Sequence, residues 1–146
     1  MLNEPQQETN GARMAAGQTI LVVEDNPDNM YVLDHLLTRH GYVVQQAMRG
    51  DDAVRLVDEH QPDLVLMDMH MPGMDGYAVV RALRDRPLLR TLPVIAVTAA
   101  SMPGDREAML AAGCTDYVSK PIDPRAVLQL IQDYLEGGRR GPDFDR

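Results

Sequence analysis

Five short apolar runs punctuate this chain, and between them the apolar positions recur every three or four residues. Thr19-Ile20-Leu21-Val22-Val23, Leu64-Val65-Leu66-Met67 and Val94-Ile95-Ala96-Val97 are nearly unbroken and rich in β-branched side chains. That pattern predicts strands covered on both faces. Tyr42-Val43-Val44 opens a less apolar run, expected at an edge, and Tyr117-Val118 predicts a short fifth strand ahead of Pro121. The intervening segments carry helix patterns. Asn26-Pro27 supplies an N-cap followed by proline at the first helical position. Met30, Leu33, Leu36 and Leu37 then make one apolar face, and Gly41 stops the helix. A second helix turns Ala53, Leu56 and Val57 inward and Asp51, Asp52, Asp58 and Glu59 outward. A third spans 77–84 around Val79, Val80 and Leu83, and a weak fourth runs from about Pro103 to Ala112, with Gly104 near its start and Gly113 after its end. Asp123-Pro124 opens the last, with Val127, Leu128, Ile131, Tyr134 and Leu135 as its inner face.

Five strands alternating with five helices predict an α/β fold with right-handed crossovers and a parallel sheet covered on both sides. Ligands in such folds bind beyond the carboxyl ends of the strands. Four of these strands end in reactive residues: Glu24-Asp25, Asp68, Thr98 and Lys120. Residues far apart in sequence therefore converge on one rim.

Composition narrows the field. Its 146 residues suit one domain, and 45% apolar and 25% charged residues are ordinary for a globular protein. The net charge of −8 arises wholly between Gln18 and Glu136, where eighteen acidic residues face ten basic ones. An acidic chain without a basic stripe is no nucleic-acid binder. No apolar run is long enough to span a bilayer. The residues before Gln18 lack the apolar core of a secretory signal, so a cytoplasmic location is expected. A single cysteine, Cys114, rules out an internal disulfide and reads as a small buried hydrophobe. Residues 1–17 and 137–146 read as disordered tails around one unit at 18–136, with no second domain and no repeat.

The chemistry follows from the rim. Lys120 is the only lysine, against thirteen arginines. An ammonium is a point charge that can follow one anionic oxygen, where a guanidinium presents a planar fork. Three crowded carboxylates repel unless a cation joins them. Oxygen donors without a histidine or cysteine cluster suit a hard ion, Mg2+ above all. A metal, a lysine and a strand-end hydroxyl make a clamp for a phosphoryl group. Asp68, alone at the end of the most apolar central strand, is the candidate nucleophile for an aspartyl phosphate. Each residue by itself reads more simply, as a solvated loop carboxylate or a surface lysine. The convergence of four strand ends decides otherwise.

Val22-Val23-Glu24-Asp25-Asn26, Leu66-Met67-Asp68-Met69, Met71-Pro72-Gly73-Met74-Asp75-Gly76, Val97-Thr98-Ala99 and Ser119-Lys120-Pro121-Ile122 together resemble the receiver domain of two-component response regulators, the CheY-like family, over essentially all of 18–136. The nearest echoes are single-domain regulators of the DivK type and the receivers of hybrid histidine kinases. The resemblance implies a flavodoxin-like, doubly wound five-stranded sheet of order 2-1-3-4-5. Asp68 would be the phosphoacceptor, supplied by a histidine kinase or phosphotransfer protein. Mg2+ would be held by Asp25 and Asp68, by Glu24 through water and by the main-chain carbonyl of His70. Lys120 would bind a phosphoryl oxygen, and its bond to Pro121 would be cis. Thr98 would hydrogen-bond the phosphoryl group, and Tyr117 would be the aromatic switch. Output would pass by protein contact to a downstream target, from a monomer or weak dimer. A hybrid-kinase receiver acting as phosphate sink or relay is the alternative. Less favoured is an aspartyl phosphohydrolase, because His70 stands where such an enzyme places its second aspartate. Ala100 cannot orient a water, which predicts slow self-dephosphorylation. The His70 side chain is expected in solvent, and His35, His40 and His60 are expected on helix faces or ends without partners.

Overall fold

A computed structural model describes residues 17–99 and 102–136. Both expected tails, apart from Gly17, and Ala100 lie outside the described residues. Within them the elements run β1 Thr19–Val23, α1 Pro27–Arg39, β2 Val43–Ala47, α2 Gly50–His60, β3 Leu64–Asp68, α3 Gly76–Arg84, β4 Val94–Thr98, α4 Asp105–Ala112, β5 Asp116–Ser119 and α5 Pro124–Glu136. All pairings are parallel and the sheet order is β2-β1-β3-β4-β5, as expected. β2 is an edge strand, and its partly exposed side chains explain its weaker apolar run.

Alternation along the strands divides the core in two. Leu21, Val23, Val65 and Met67 pack with Ala53, Val57, Val79, Val80, Leu83 and Met109 from α2, α3 and α4. Ile20, Val22, Leu64 and Leu66 pack with Met30, Leu33, Leu37, Val127, Leu130 and Ile131 from α1 and α5. A strand buried on both faces has no position left for a polar residue until it ends. The first polar side chains after β1, and at the ends of β3 and β4, are therefore the rim residues.

Several details differ from the expected pattern. Leu36 is only half-buried, and on α5 the buried set is Val127, Leu130 and Ile131, with Leu128, Tyr134 and Leu135 partly covered. α4 starts at Asp105, because Gly104 sits at φ 94° ahead of it and takes the N-cap position. A 3-10 turn at Pro87–Leu89 precedes β4. Arg84 ties that region together, donating to the carbonyls of Leu89 (2.5 Å) and Gly113 (2.9 Å) and to Thr115 Oγ1 (3.2 Å). Cys114 is buried as expected, and burial pushes its thiol up to about 12. Among the described residues no helix is long and apolar enough to cross a membrane.

Candidate functional site

The strand ends meet as the alternation predicts. The β3–β4 register sets Asp68 beside Val97, and the β4–β5 register sets Thr98 beside Ser119. The rim residues are locked by backbone bonds that continue the sheet. The Glu24 N–H donates to the Ala47 carbonyl (3.0 Å), Met69 N–H to Val97 (3.1 Å) and Lys120 N–H to Thr98 (2.8 Å). The peptide bond between Lys120 and Pro121 is cis.

Carboxylate oxygens of Glu24, Asp25 and Asp68 all lie within 4.8 Å of one another. Glu24 and Asp68 are each only 2% exposed, whereas Asp25 is open to solvent. Lys120 Nζ stands 3.4 Å from Asp68 Oδ2. Thr98 is fully buried, and Tyr117 is half-buried against the α2–α4 side of the core. The structure thus brings Glu24, Asp25 and Asp68 into one cluster and adds Lys120 to it.

Local sequence explains the loops. Asn26 Oδ1 accepts from the N–H groups of Asp28 and Asn29 and starts α1, while its own N–H donates to Glu24 Oε2 at 3.1 Å. The loop after β3 needs two glycines. A Cβ on Gly76 would lie 2.7 Å from the Asp68 carbonyl oxygen and 2.6 Å from Met69 Cα. One on Gly50 would collide with the Met74 carbonyl. Both glycines let a helix start press on the segment that carries Asp68, and Asp75 caps α3 there through the Ala78 N–H.

Burial raises the Glu24 carboxyl above its usual range, and the Asp68 charge and a shared hydrogen bond raise it further, against the Asn26 N–H and Lys120. Three clustered carboxylates facing one ammonium leave net negative charge in a sparsely hydrated place. A donor set of carboxylate oxygens, with no imidazole or thiolate in the cluster, fits a hard divalent ion such as magnesium.

A pH-dependent stability follows. Folding favours the protonated form of a carboxyl whose pKa it raises. That contribution is present below the unfolded pKa and is lost as pH rises through the folded one. At neutral pH the ionised rim therefore strains the fold, and a bound cation relieves it. We expect magnesium in hundredfold excess over its dissociation constant to raise Tm by about 10 °C near pH 7. The increment should shrink as acidification protonates Glu24, whose carboxyl burial raises. A shift independent of pH between 7 and 4, read by calorimetry, contradicts this origin.

The histidines lie where the sequence put them, His70 exposed and the others on helix faces or ends, but their partners were missed. His70 is solvent-exposed at its edge, but its ring Nε2 lies 3.1 Å from Thr98 Oγ1 and its centroid 6.3 Å from that of Tyr77. Its main-chain N–H donates to Asp68 Oδ1 at 3.0 Å. The other three also have partners: His35 stacks on Tyr31, His40 Nδ1 lies 2.9 Å from the Leu36 carbonyl, and His60 stands 3.9 Å from Glu59. The helix period sets Tyr31 beside His35 and Leu36 beside His40, whereas the His70–Thr98 contact joins residues 28 apart and no periodicity announces it.

Residues 20–132 match the model of the response regulator receiver domain. The polar-differentiation response regulator DivK of Brucella anthropi is 41% identical over 118 residues, covering 81% of this chain and 96% of that protein. The receiver domain of the sensor histidine kinase PA1611 of Pseudomonas aeruginosa, solved with a magnesium ion coordinated in its active-site cleft, is 40% identical with a TM-score of 0.75. That match covers 82% of this chain and 98% of the other. A co-crystal of the Saccharomyces cerevisiae phosphotransfer protein Ypd1 with the receiver domain of Ssk1 matches with 26% identity and a TM-score of 0.75, over 82% and 89% of the two chains. With its sheet order, its acidic rim and these relatives in agreement, the chain belongs to the receiver domain family of two-component response regulators.

Proposed function

We propose that this protein is a phosphorylation-controlled switch whose receiver unit, 18–136, takes a phosphoryl group on Asp68 from a histidine kinase or a phosphotransfer protein. The observation that carries this reading is the Lys120 ammonium 3.4 Å from Asp68, inside a cluster of three carboxylates. In the transfer an Asp68 oxygen attacks phosphorus. The donor's nitrogen–phosphorus bond breaks, and the leaving imidazole keeps the electron pair. Asp25 and Asp68, with Glu24 through water and the His70 carbonyl, are the groups that would hold magnesium. Magnesium, when bound, supplies positive charge to phosphoryl oxygens. Lys120 holds another of those oxygens as a point charge, and Thr98 offers its hydroxyl to a third.

The added negative charge of the acyl phosphate on Asp68 and the draw on Thr98 bias Tyr117 and α4 between two arrangements. α4 is suited to move, since it buries only Met109 and Ala112. The signal then leaves by protein contact over α4, β5 and α5. A cytoplasmic location belongs to the same reading.

A phosphate sink or relay within a hybrid kinase is the second reading, favoured by the 40% identity to a kinase receiver. Both readings share the chemistry, and both differ from a phosphohydrolase. Incubation with acetyl phosphate and magnesium should label one site per chain, with no multiple turnover on ordinary phosphate esters. Sustained ester hydrolysis by the purified protein contradicts the proposal.

A further inference from the structure

The amino ends of β3 and β4, at the opposite end of the sheet from Asp68, hold a feature that the phosphoryl chemistry does not use. A groove of about 650 Å3 lies there, between the end of α2 and the 3-10 turn Pro87–Leu89. Val57, Leu89, Leu92 and Pro93 give it an apolar lining. Leu88 forms part of the wall yet points to solvent, 93% exposed, more than any other large apolar side chain among the described residues. It is a knob beside a hole that it does not fill.

The charges sort in the same way. Arg86 pairs with Asp58 at 3.0 Å on the groove wall. Asp63, also on the wall, takes the Thr19 N–H on Oδ2 but has no cation partner among the described residues. Arg90, exposed beside Leu89, has no ion pair among them either. Two aspartates and two arginines thus cancel on this face, in a chain whose net charge of −8 opposes self-association elsewhere. A knob next to its hole, and an anion next to a cation, are what a two-fold contact between identical surfaces requires.

We propose that this face is a homodimer contact whose occupant is a second copy of the chain. Leu88 of each copy enters the groove of the other, and Arg90 of each meets Asp63 of the other. A contact centred on one leucine and one ion pair per copy belongs with weak, transient interfaces. Both acidic rims, at the far ends of the strands, stay open to a phosphodonor in such a dimer. The proposal does not rest on the reading of Asp68 as phosphoacceptor.

Sedimentation equilibrium of the full chain, from about 10 µM to 1 mM, tests it. The wild type should be half dimeric at about 100 µM. Leu88→Ser should weaken the dimer about a hundredfold, since each dimer loses two buried leucines worth about tenfold apiece. Arg90→Glu, which sets like charges opposite each other, should weaken it about tenfold. Both positions are exposed, and thermal melts equal to wild type place any loss in the contact itself. A wild type that stays monomeric to about 1 mM overturns the proposal and leaves the groove to a different protein or another segment of this chain. A dimer of unchanged strength in Leu88→Ser overturns it as well, because the contact would lie on another face. So does a dimer that Arg90→Glu leaves equal or tighter.

Discussion

Asp68→Asn is expected to abolish magnesium-dependent labelling by acetyl phosphate and to leave the protein folded. The side chain ends β3 and is 2% exposed, so an isosteric amide fills the same space. What the amide lacks is the anionic oxygen that attacks phosphorus and leaves a stable acyl phosphate. Stability should not fall with activity. Burial and the Asp68 charge both raise the Glu24 carboxyl, so removing one negative charge relieves that repulsion. Lys120 loses its 3.4 Å partner but is partly exposed and still interacts with Glu24. The two effects oppose each other, and we expect denaturant midpoints to give a change within about 1 kcal/mol. Labelling of the variant at wild-type stoichiometry contradicts the assignment. A variant that fails to fold contradicts the electrostatic account of the rim.

Lys120→Arg is expected to lower the initial labelling rate about a hundredfold, the scale of losing one preorganised charge donor. The chain uses arginine at every other basic position, so the exception marks a place where the two cations differ. The Lys120 backbone is fixed by its bond to Thr98, and its ammonium meets a single Asp68 oxygen inside a narrow acidic cluster. A guanidinium retains the charge but needs room for a planar fork of donors. Magnesium-linked stabilisation should survive the substitution, because the carboxylates are unchanged. A rate equal to wild type would mean that positive charge alone suffices at β5's end.

The fold was legible because three nearly unbroken β-branched runs alternate with helix periods, even though β2, α4 and β5 give weaker patterns. The same runs pointed to the rim, since a strand buried on both faces shows polar chemistry only at its end. Sequence could not show how deeply each residue sinks. Leu130 was passed over because α5 packs through Val127, Leu130 and Ile131, while Leu128 and Tyr134, on the same apolar stripe, are only partly covered. The 3-10 turn at Pro87–Leu89 depends on Arg84, whose partners lie up to 31 residues away. Gly76 carried no hint of its neighbour either. Only the close approach of the α3 start to the Asp68 carbonyl shows why a side chain there has no space. The His70 ring belongs with these, as its direction is set by Thr98 and Tyr77 across a loop.

The central claim is that an acidic rim, a divalent cation and one ammonium make an aspartyl phosphate attainable at a single position. Mass-spectrometric mapping after acetyl phosphate treatment, with and without magnesium, tests it most directly. The account predicts one phosphoryl group, on the peptide that contains Asp68, and only when the metal is present. Modification elsewhere, or equal modification after chelation, would contradict it.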